Sequence, residues 1–217
     1  ADVTISVSRG KELAKKTLNP RLGITGGISI LGSTGIVIPY SHEAYRESIA
    51  CALDVAQASG ITTIVFSTGK SSEKIARKVY NHLPEEAFVL MADHFAHALQ
   101  SAQERGFTRI SICCFPAKLL KMAGGLENTH CTRASIDLEL LSELAVRSGI
   151  SNKTARALAQ ANTVRHAVEM LQAGDAIRLC AHMARIASEF INTLTRHPVE
   201  KEILVLGYDN TVLYHSK

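Results

Sequence analysis

The chain contains no tryptophan, and aromatic residues of any kind make up only 5% of it. Its 24 Lys and Arg are dispersed among 20 acidic residues, which leaves a net charge of only +4. A nucleic-acid groove needs basic clusters interleaved with stacking rings, so that class of partner is not indicated, whereas a small anionic ligand suits the charge. The five cysteines (Cys51, Cys113, Cys114, Cys131 and Cys180) form no C-x-x-C pair, and no signal-peptide pattern leads the chain. A disulfide framework and a cysteine zinc site are therefore both disfavoured, and the expectation is a reducing cytoplasm. Between Arg21 and Glu43 there is no acidic residue, Lys or Arg. That stretch carries too many Gly, Ser and Thr, and a Pro at 39, to be a membrane span. The chain opens on Ala1 rather than Met, as a processed or excised piece would.

What the uncharged stretch does hold is glycine. Gly23, Gly26, Gly27, Gly32 and Gly35 fall within thirteen residues, out of 14 glycines in the whole chain. Bare backbone N–H groups of such a loop can approach a ligand closely, because glycine has no Cβ and tolerates positive φ. A glycine-rich turn between strands is the other reading. The spacing from Gly27 to Gly32 matches a phosphate loop, but Ser33 stands where that motif needs its lysine. Thr68-Gly69-Lys70-Ser71 has the lysine, yet its first glycine falls on Ile64. There is no G-x-G-x-x-G either, so a nucleotide triphosphatase and a dinucleotide enzyme both lose support.

At 217 residues with 46% hydrophobic content, the chain suffices for one well-buried domain, expected over 1–217. Val3 to Val7 alternates like a half-buried strand, and Gly10 to Lys16 begins a short helix ended by Asn19-Pro20. Ser41 caps a helix from Glu43 that stops at Gly60. Strands are then expected at Ile61–Phe66, Ala87–Met91 and Thr108–Cys114, with helices at Ser71–Leu83 and Asp93–Arg105 between them. Such apolar strands, each followed by a helix, predict an α/β fold: an open, mostly parallel twisted sheet, Rossmann-like, with helices on both faces. Lys118 to Arg196 reads as helical, with an apolar stripe at Ile177, Cys180, Met183, Ala184, Ala187, Phe190, Ile191 and Leu194. Lys201–Leu206 returns to strand, and a turn at Tyr208-Asp209-Asn210 precedes a last short one. Ligands of open parallel sheets sit at the carboxyl ends of the strands. Four segments qualify: the glycine loop, Ser67-Thr68-Gly69-Lys70, Ala92-Asp93-His94 and Phe115-Pro116-Ala117-Lys118.

Two blocks carry a resemblance. Lys15-Lys16-Thr17-Leu18-Asn19-Pro20-Arg21-Leu22-Gly23-Ile24, running into Gly26-Gly27-Ile28-Ser29-Ile30-Leu31-Gly32-Ser33-Thr34-Gly35, is similar to the signature of the cobalt-precorrin-5B (C1)-methyltransferases, the CbiD family. Lys118-Leu119-Leu120-Lys121-Met122-Ala123-Gly124-Gly125-Leu126-Glu127-Asn128-Thr129-His130 resembles a second block of that family, in the same order and at the same separation. The resemblance implies the family's C-terminal α/β part without the domain that ordinarily precedes it. It also implies an enzyme of anaerobic cobalamin synthesis, moving a methyl group from S-adenosylmethionine to ring carbon 1 of a cobalt-corrinoid precursor. A non-catalytic corrinoid or S-adenosylmethionine binding module is the alternative. An anionic tetrapyrrole is the implied partner, together with the family's N-terminal domain or a second copy of the chain.

Methyl transfer to carbon is an in-line displacement at a sulfonium, so the protein chiefly aligns two reactants and needs no covalent nucleophile. On the resemblance, Gly26, Gly27, Gly32, Ser33, Thr34, Gly35, Thr68 and Gly69 would hold the cofactor, with Asp93 accepting from ribose hydroxyls or instead capping the following helix. Lys118, Lys121 and Arg133 would face the substrate's carboxylates or else form a solvated helix face. His130, flanked by Asn128 and Thr129, would be the proton acceptor or substrate contact, or else belong to a capping loop. Asp93, His94 and His97 share a helical face, but no further ligands can be named beside them, so no metal is assigned.

Overall fold

The computed structural model describes residues 1–4, 6–29, 41–130, 137–197 and 199–216. Among the glycine-loop candidates Gly32, Ser33, Thr34 and Gly35 lie outside the described residues, as does Arg133.

The described residues form an open five-stranded sheet. Its strands are β1 (Thr63–Ser67), β2 (Phe88–Leu90), β3 (Arg109–Cys114), β4 (Glu200–Leu206) and β5 (Val212–His215), in the order β2-β1-β3-β4-β5. The first four are parallel and β5 pairs antiparallel with β4. Helices α1 (Gly10–Ala14) and α2 (His42–Ala58) precede β1, α3 (Lys70–Val79) links β1 to β2, and α4 (Phe95–Glu104) links β2 to β3. Between β3 and β4 the chain runs through α5 (Pro116–Ala123), α6 (Leu138–Arg147), α7 (Asn152–Ala159), α8 (Val164–Glu169) and α9 (Ala173–Leu194). No helix of the described residues is long and apolar enough to cross a membrane.

Because side chains alternate along a strand, each strand feeds two layers. Ile64, Phe66, Ile110, Ile112, Ile203 and Val205 join one large cluster with residues of α2, α4 and α5 to α9. Val65, Cys113, Leu204 and Leu206 face the other way, against Ile75, Ala76 and Tyr80 from α3 and the residue after it. Helices cover both faces as the pattern predicts, but very unequally. The buried cysteines Cys113 and Cys114 pack on opposite faces, and burial drives their thiols up, that of Cys113 to about 12. They are core side chains.

Local signals account for several helix ends. Ser41 Oγ accepts from the Ala44 amide, Gly60 takes a φ of 72° behind α2, and Ser151 Oγ accepts from the Thr154 amide. Two expectations need correction. Val3, Thr4, Ser6 and Val7 form no strand, and Val3 and Val7 are exposed, because alternation makes a strand only where another strand takes its backbone bonds. On α9 the buried seam runs through Ala176, Leu179, Cys180, Met183, Ala184, Ala187 and Ile191, which leaves Ile177 exposed at the stripe's edge.

From β1 the chain goes outward to β2, then crosses back to β3 on the other side, so the strand order reverses between β1 and β3. The carboxyl ends at Ser67 and Cys114 flank that switch point, where ligands of such sheets bind.

Candidate active site

Asp93 lies just beyond β2. The residue before it, Ala92, adopts a φ of 47°, an uncommon backbone for a side chain with a Cβ and one that persists only where surroundings impose it. The segment after α5 is laid alongside: the Thr129 amide donates to the Asp93 carbonyl at 3.0 Å, and the Ala96 amide donates to the Glu127 carbonyl at 3.1 Å. Side chains repeat the connection. Thr129 Oγ1 donates to Asp93 Oδ1 at 2.8 Å, Lys118 Nζ donates to the same oxygen and, at 3.1 Å, to the Thr129 carbonyl. Lys121 Nζ, on the next turn of α5, reaches that carbonyl at 3.0 Å. Asn128 Oδ1 accepts from the His130 amide at 3.0 Å and fixes the turn.

Asp93, Lys118, Lys121, Asn128, Thr129 and His130 are thus one construction joining the ends of β2 and β3. Asp93 does not cap α4; His94 occupies the cap position and makes no capping bond. Nor is Lys121 part of a solvated face, since it is buried. Burial alone would raise the Asp93 carboxyl, but hydrogen bonds from Lys118 and Thr129, with the nearby charge of Lys118 and His130, outweigh it and hold it below the ordinary range. It stays ionised at neutral pH. Both internal bonds fall on Oδ1, and among the described residues Oδ2 receives none.

A histidine cluster borders this carboxylate. His42, at the start of α2, meets His94 edge-on with ring centroids 5.2 Å apart and His130 at 5.6 Å, and its Nδ1 lies 3.5 Å from His94 Nε2. Tyr45 stacks on His94 from one turn along α2. His94 is buried, and its Nδ1 has no partner among the described residues. Burial first, then the charge of His42, Arg46 and His97, pushes its pKa down, while Asp93 pulls weakly the other way. Among the described residues no group of three or more His, Cys, Asp or Glu is arranged to hold a metal ion.

The folded protein therefore takes up a proton at His94 less readily than the unfolded chain does. Stability that is present above the ordinary histidine value, about 6.5, is lost as pH falls from there through the lowered value. Asp93 acts in the same direction only in the more acid carboxylate range. Thermal melts at about pH 7.5 and about pH 5.5 should show a clear fall, and His94→Gln should shrink that difference. An unchanged difference would assign the acid sensitivity elsewhere.

The remaining candidates separate into two places. Thr68 and Gly69 follow β1 at the switch point, with the Thr68 amide donating to the Cys113 carbonyl at 3.3 Å. Gly26 and Gly27 instead line a separate cleft of about 490 Å³ with residues 9–12. Phe115, at the fourth strand end, stacks on Tyr208 beyond β4 with centroids 5.3 Å apart. His42 and Tyr45 were not singled out in the sequence; the usable signal was a histidine directly after a capping serine, at the end of the long uncharged stretch.

A family model for CbiD matches residues 1–39, and one for the CbiD C-terminal domain matches residues 128–217. Curated relatives carry the name cobalt-precorrin-5B C(1)-methyltransferase. That of Pelobacter propionicus is 41% identical over 241 residues, covering 99% of this chain and 60% of its own length. That of Geobacter sulfurreducens is 41% identical over 215 residues, covering 98% and 58%.

The chain belongs to the CbiD family.

A Geobacillus sp. (strain WCH70) member of the family is 46% identical over 171 residues, covering 79% of this chain and 47% of its own. This CbiD-family chain spans about three fifths of the length of the first two relatives. No solved structure matches it. The two family-model matches include the Lys15–Arg21 segment and Asn128-Thr129-His130. The first block meets α3 through the Arg21–Glu73 ion pair, and the second meets α5 through Lys118 and Lys121.

Proposed function

We propose that this chain is the strand-end, ligand-holding part of a cobalt-precorrin-5B C(1)-methyltransferase, acting in the cytoplasm on an anionic cobalt-corrinoid precursor with S-adenosylmethionine as methyl donor. The observation that carries the reading is the Asp93–Lys118–Thr129 construction: it ties the N-T-H block to the end of β2, beside the switch point of the sheet. The donor set suits the cofactor. An ionised carboxylate whose Oδ2 receives no bond among the described residues is a natural acceptor for a ribose diol, and Thr68 and Gly69 offer backbone groups at the neighbouring strand end. S-adenosylmethionine supplies an electrophilic methyl on sulfur. The protein's share is alignment and exclusion of water, which positioned groups accomplish without a covalent intermediate. In this reading Lys118 and Lys121 hold Thr129 in place, and His94, whose pKa burial pushes down, and His130 border the substrate as proton acceptors.

The direct test is methyl transfer to cobalt-precorrin-5B followed by mass spectrometry, with the chain alone and joined to the remaining part of the Geobacter sulfurreducens relative. Transfer dependent on S-adenosylmethionine is expected, weak for the chain alone and stronger for the joined protein. Calorimetry should show binding of S-adenosylmethionine and none of ATP. If neither protein yields methylated product while S-adenosylmethionine still binds, the chain is a binding module and the catalytic reading fails.

A further inference from the structure

We infer that the cleft between residues 15–21 and the start of α3 is the docking rim for the carboxylates of a macrocycle, a reading that rests on the tetrapyrrole substrate proposed above. The cleft has a volume of about 690 Å³ and is lined by six cations, Lys15, Lys16, Arg21, Lys70, Lys74 and Arg77, against two carboxylates, Glu73 and Glu85. The excess equals the net charge of the entire chain, +4. Charge dispersed in the sequence is concentrated here by the fold.

The two walls are brought together by ion pairs. Arg21 reaches the buried Glu73 of α3 at 2.6 Å and Glu85 at 3.7 Å, and Arg77 reaches the same two carboxylates at 2.9 and 3.3 Å. Both guanidinium groups are thereby committed to the protein. Lys15, Lys16, Lys70 and Lys74 are exposed and make no ion pair among the described residues. The charge left for a ligand is therefore four ammonium groups on flexible stems, two from each wall, and no guanidinium fork converging on one point. Separate carboxylates around a ring suit that distribution better than a single phosphate does. Lys70 and Lys74 are also one turn apart on the first turns of α3, where the helix dipole favours anions.

The floor suits a ring face. Leu18, Tyr45 and Leu90 line the cleft between its charged walls, and a narrower apolar crevice continues from them over Leu22, Ala52 and Phe88. Tyr45 also stacks on His94, so the cleft and the histidine cluster share one side chain. A macrocycle whose rim lies on the lysines would meet the Tyr45 ring that packs on His94. This replaces Lys118 and Lys121, whose ammonium groups are engaged with Asp93 and Thr129, as the substrate's cationic partners.

The test uses uroporphyrin, which carries carboxylates on every peripheral chain, as a fluorescent probe of the chain itself. Uroporphyrin should bind, with affinity falling steeply as salt rises, and protoporphyrin, with far fewer carboxylates, should bind much more weakly. Single changes Lys15→Ala, Lys16→Ala, Lys70→Ala or Lys74→Ala should weaken binding roughly two- to fivefold, and all four together on the order of a hundredfold. The Lys78→Ala/Lys153→Ala pair, exposed but outside the cleft, should change little. Binding of uroporphyrin by the quadruple variant as tightly as by the parent overturns the inference. So does absence of binding by the parent at low salt, or equally effective competition by inorganic triphosphate. Methyl transfer is a separate readout: a parent that transfers methyl but binds the porphyrin independently of these lysines overturns this inference alone, and lysine-dependent binding without transfer overturns only the catalytic reading.

Discussion

Asp93→Asn should reduce S-adenosylmethionine affinity and methyl transfer by roughly a hundredfold and destabilise the fold by about 1–3 kcal/mol, although the side chain keeps its shape. The carboxylate is where the Lys118 ammonium and the Thr129 hydroxyl both end. A neutral amide leaves that ammonium half-buried without a counter-charge. Both side chains are under a third exposed, at 28% for Lys118 and 20% for Asp93, so solvent screens the pair only in part. The Thr129 amide keeps the backbone carbonyl of residue 93, but one carboxylate oxygen becomes an NH2 group, which donates and can no longer accept from a ribose hydroxyl. Adding Lys118→Met should cost less than the two single changes summed, with a coupling of about 0.5–3 kcal/mol, because the orphaned charge is then removed. Strict additivity in chemical denaturation, or full affinity in a folded Asp93→Asn protein, would show that the cluster neither carries the site nor holds it together.

The sheet was legible because its strands are largely continuous in apolar residues, β1 to β3 are each followed by a helix, and the helix before β1 carries ordinary end signals at Ser41 and Gly60. The proposed site was half legible in position for the same reason: the strand-end rule led to Thr68, Gly69, Asp93 and Lys118, which do lie at or beyond the strand ends. What pattern could not supply was partnership. Lys121 carries the spacing of an exposed helical lysine, and only the return of residues 127–129 along the start of α4 makes it a buried donor to the Thr129 carbonyl. Similarly, Lys15 and Lys16 sit 55 residues or so before Lys70 and Lys74, and the Arg21–Glu73 ion pair that unites them is invisible to any local window. The Val3–Val7 stretch shows the reverse error. It has the right alternation, and among the described residues nothing of the sheet extends to it.

The largest loss of stability is expected from Phe66→Ala, at about 3–5 kcal/mol, with cofactor affinity at low temperature changed only a few-fold. Phe66 is the aromatic residue of β1 and fully buried, in register with Val89 on one side and Ile112 on the other. All three belong to the larger cluster, which the helices α2, α4 and α5 to α9 close over, so the vacated volume has rigid neighbours and little freedom to collapse. For a chain of this length the midpoint of thermal unfolding should fall by roughly 10 °C. Thr68 and Gly69 lie beyond the end of the strand and Asp93 is held by Lys118 and Thr129, so the site's own bonds survive the cavity. The two variants therefore separate what holds the protein together from what holds the ligand: Asp93→Asn loses affinity out of proportion to stability, Phe66→Ala the reverse. A Phe66→Ala protein within about 1 kcal/mol of the parent in denaturant titration would contradict the close-packed layer beneath the switch point, and one that stays folded yet loses the cofactor would place part of the site inside the sheet.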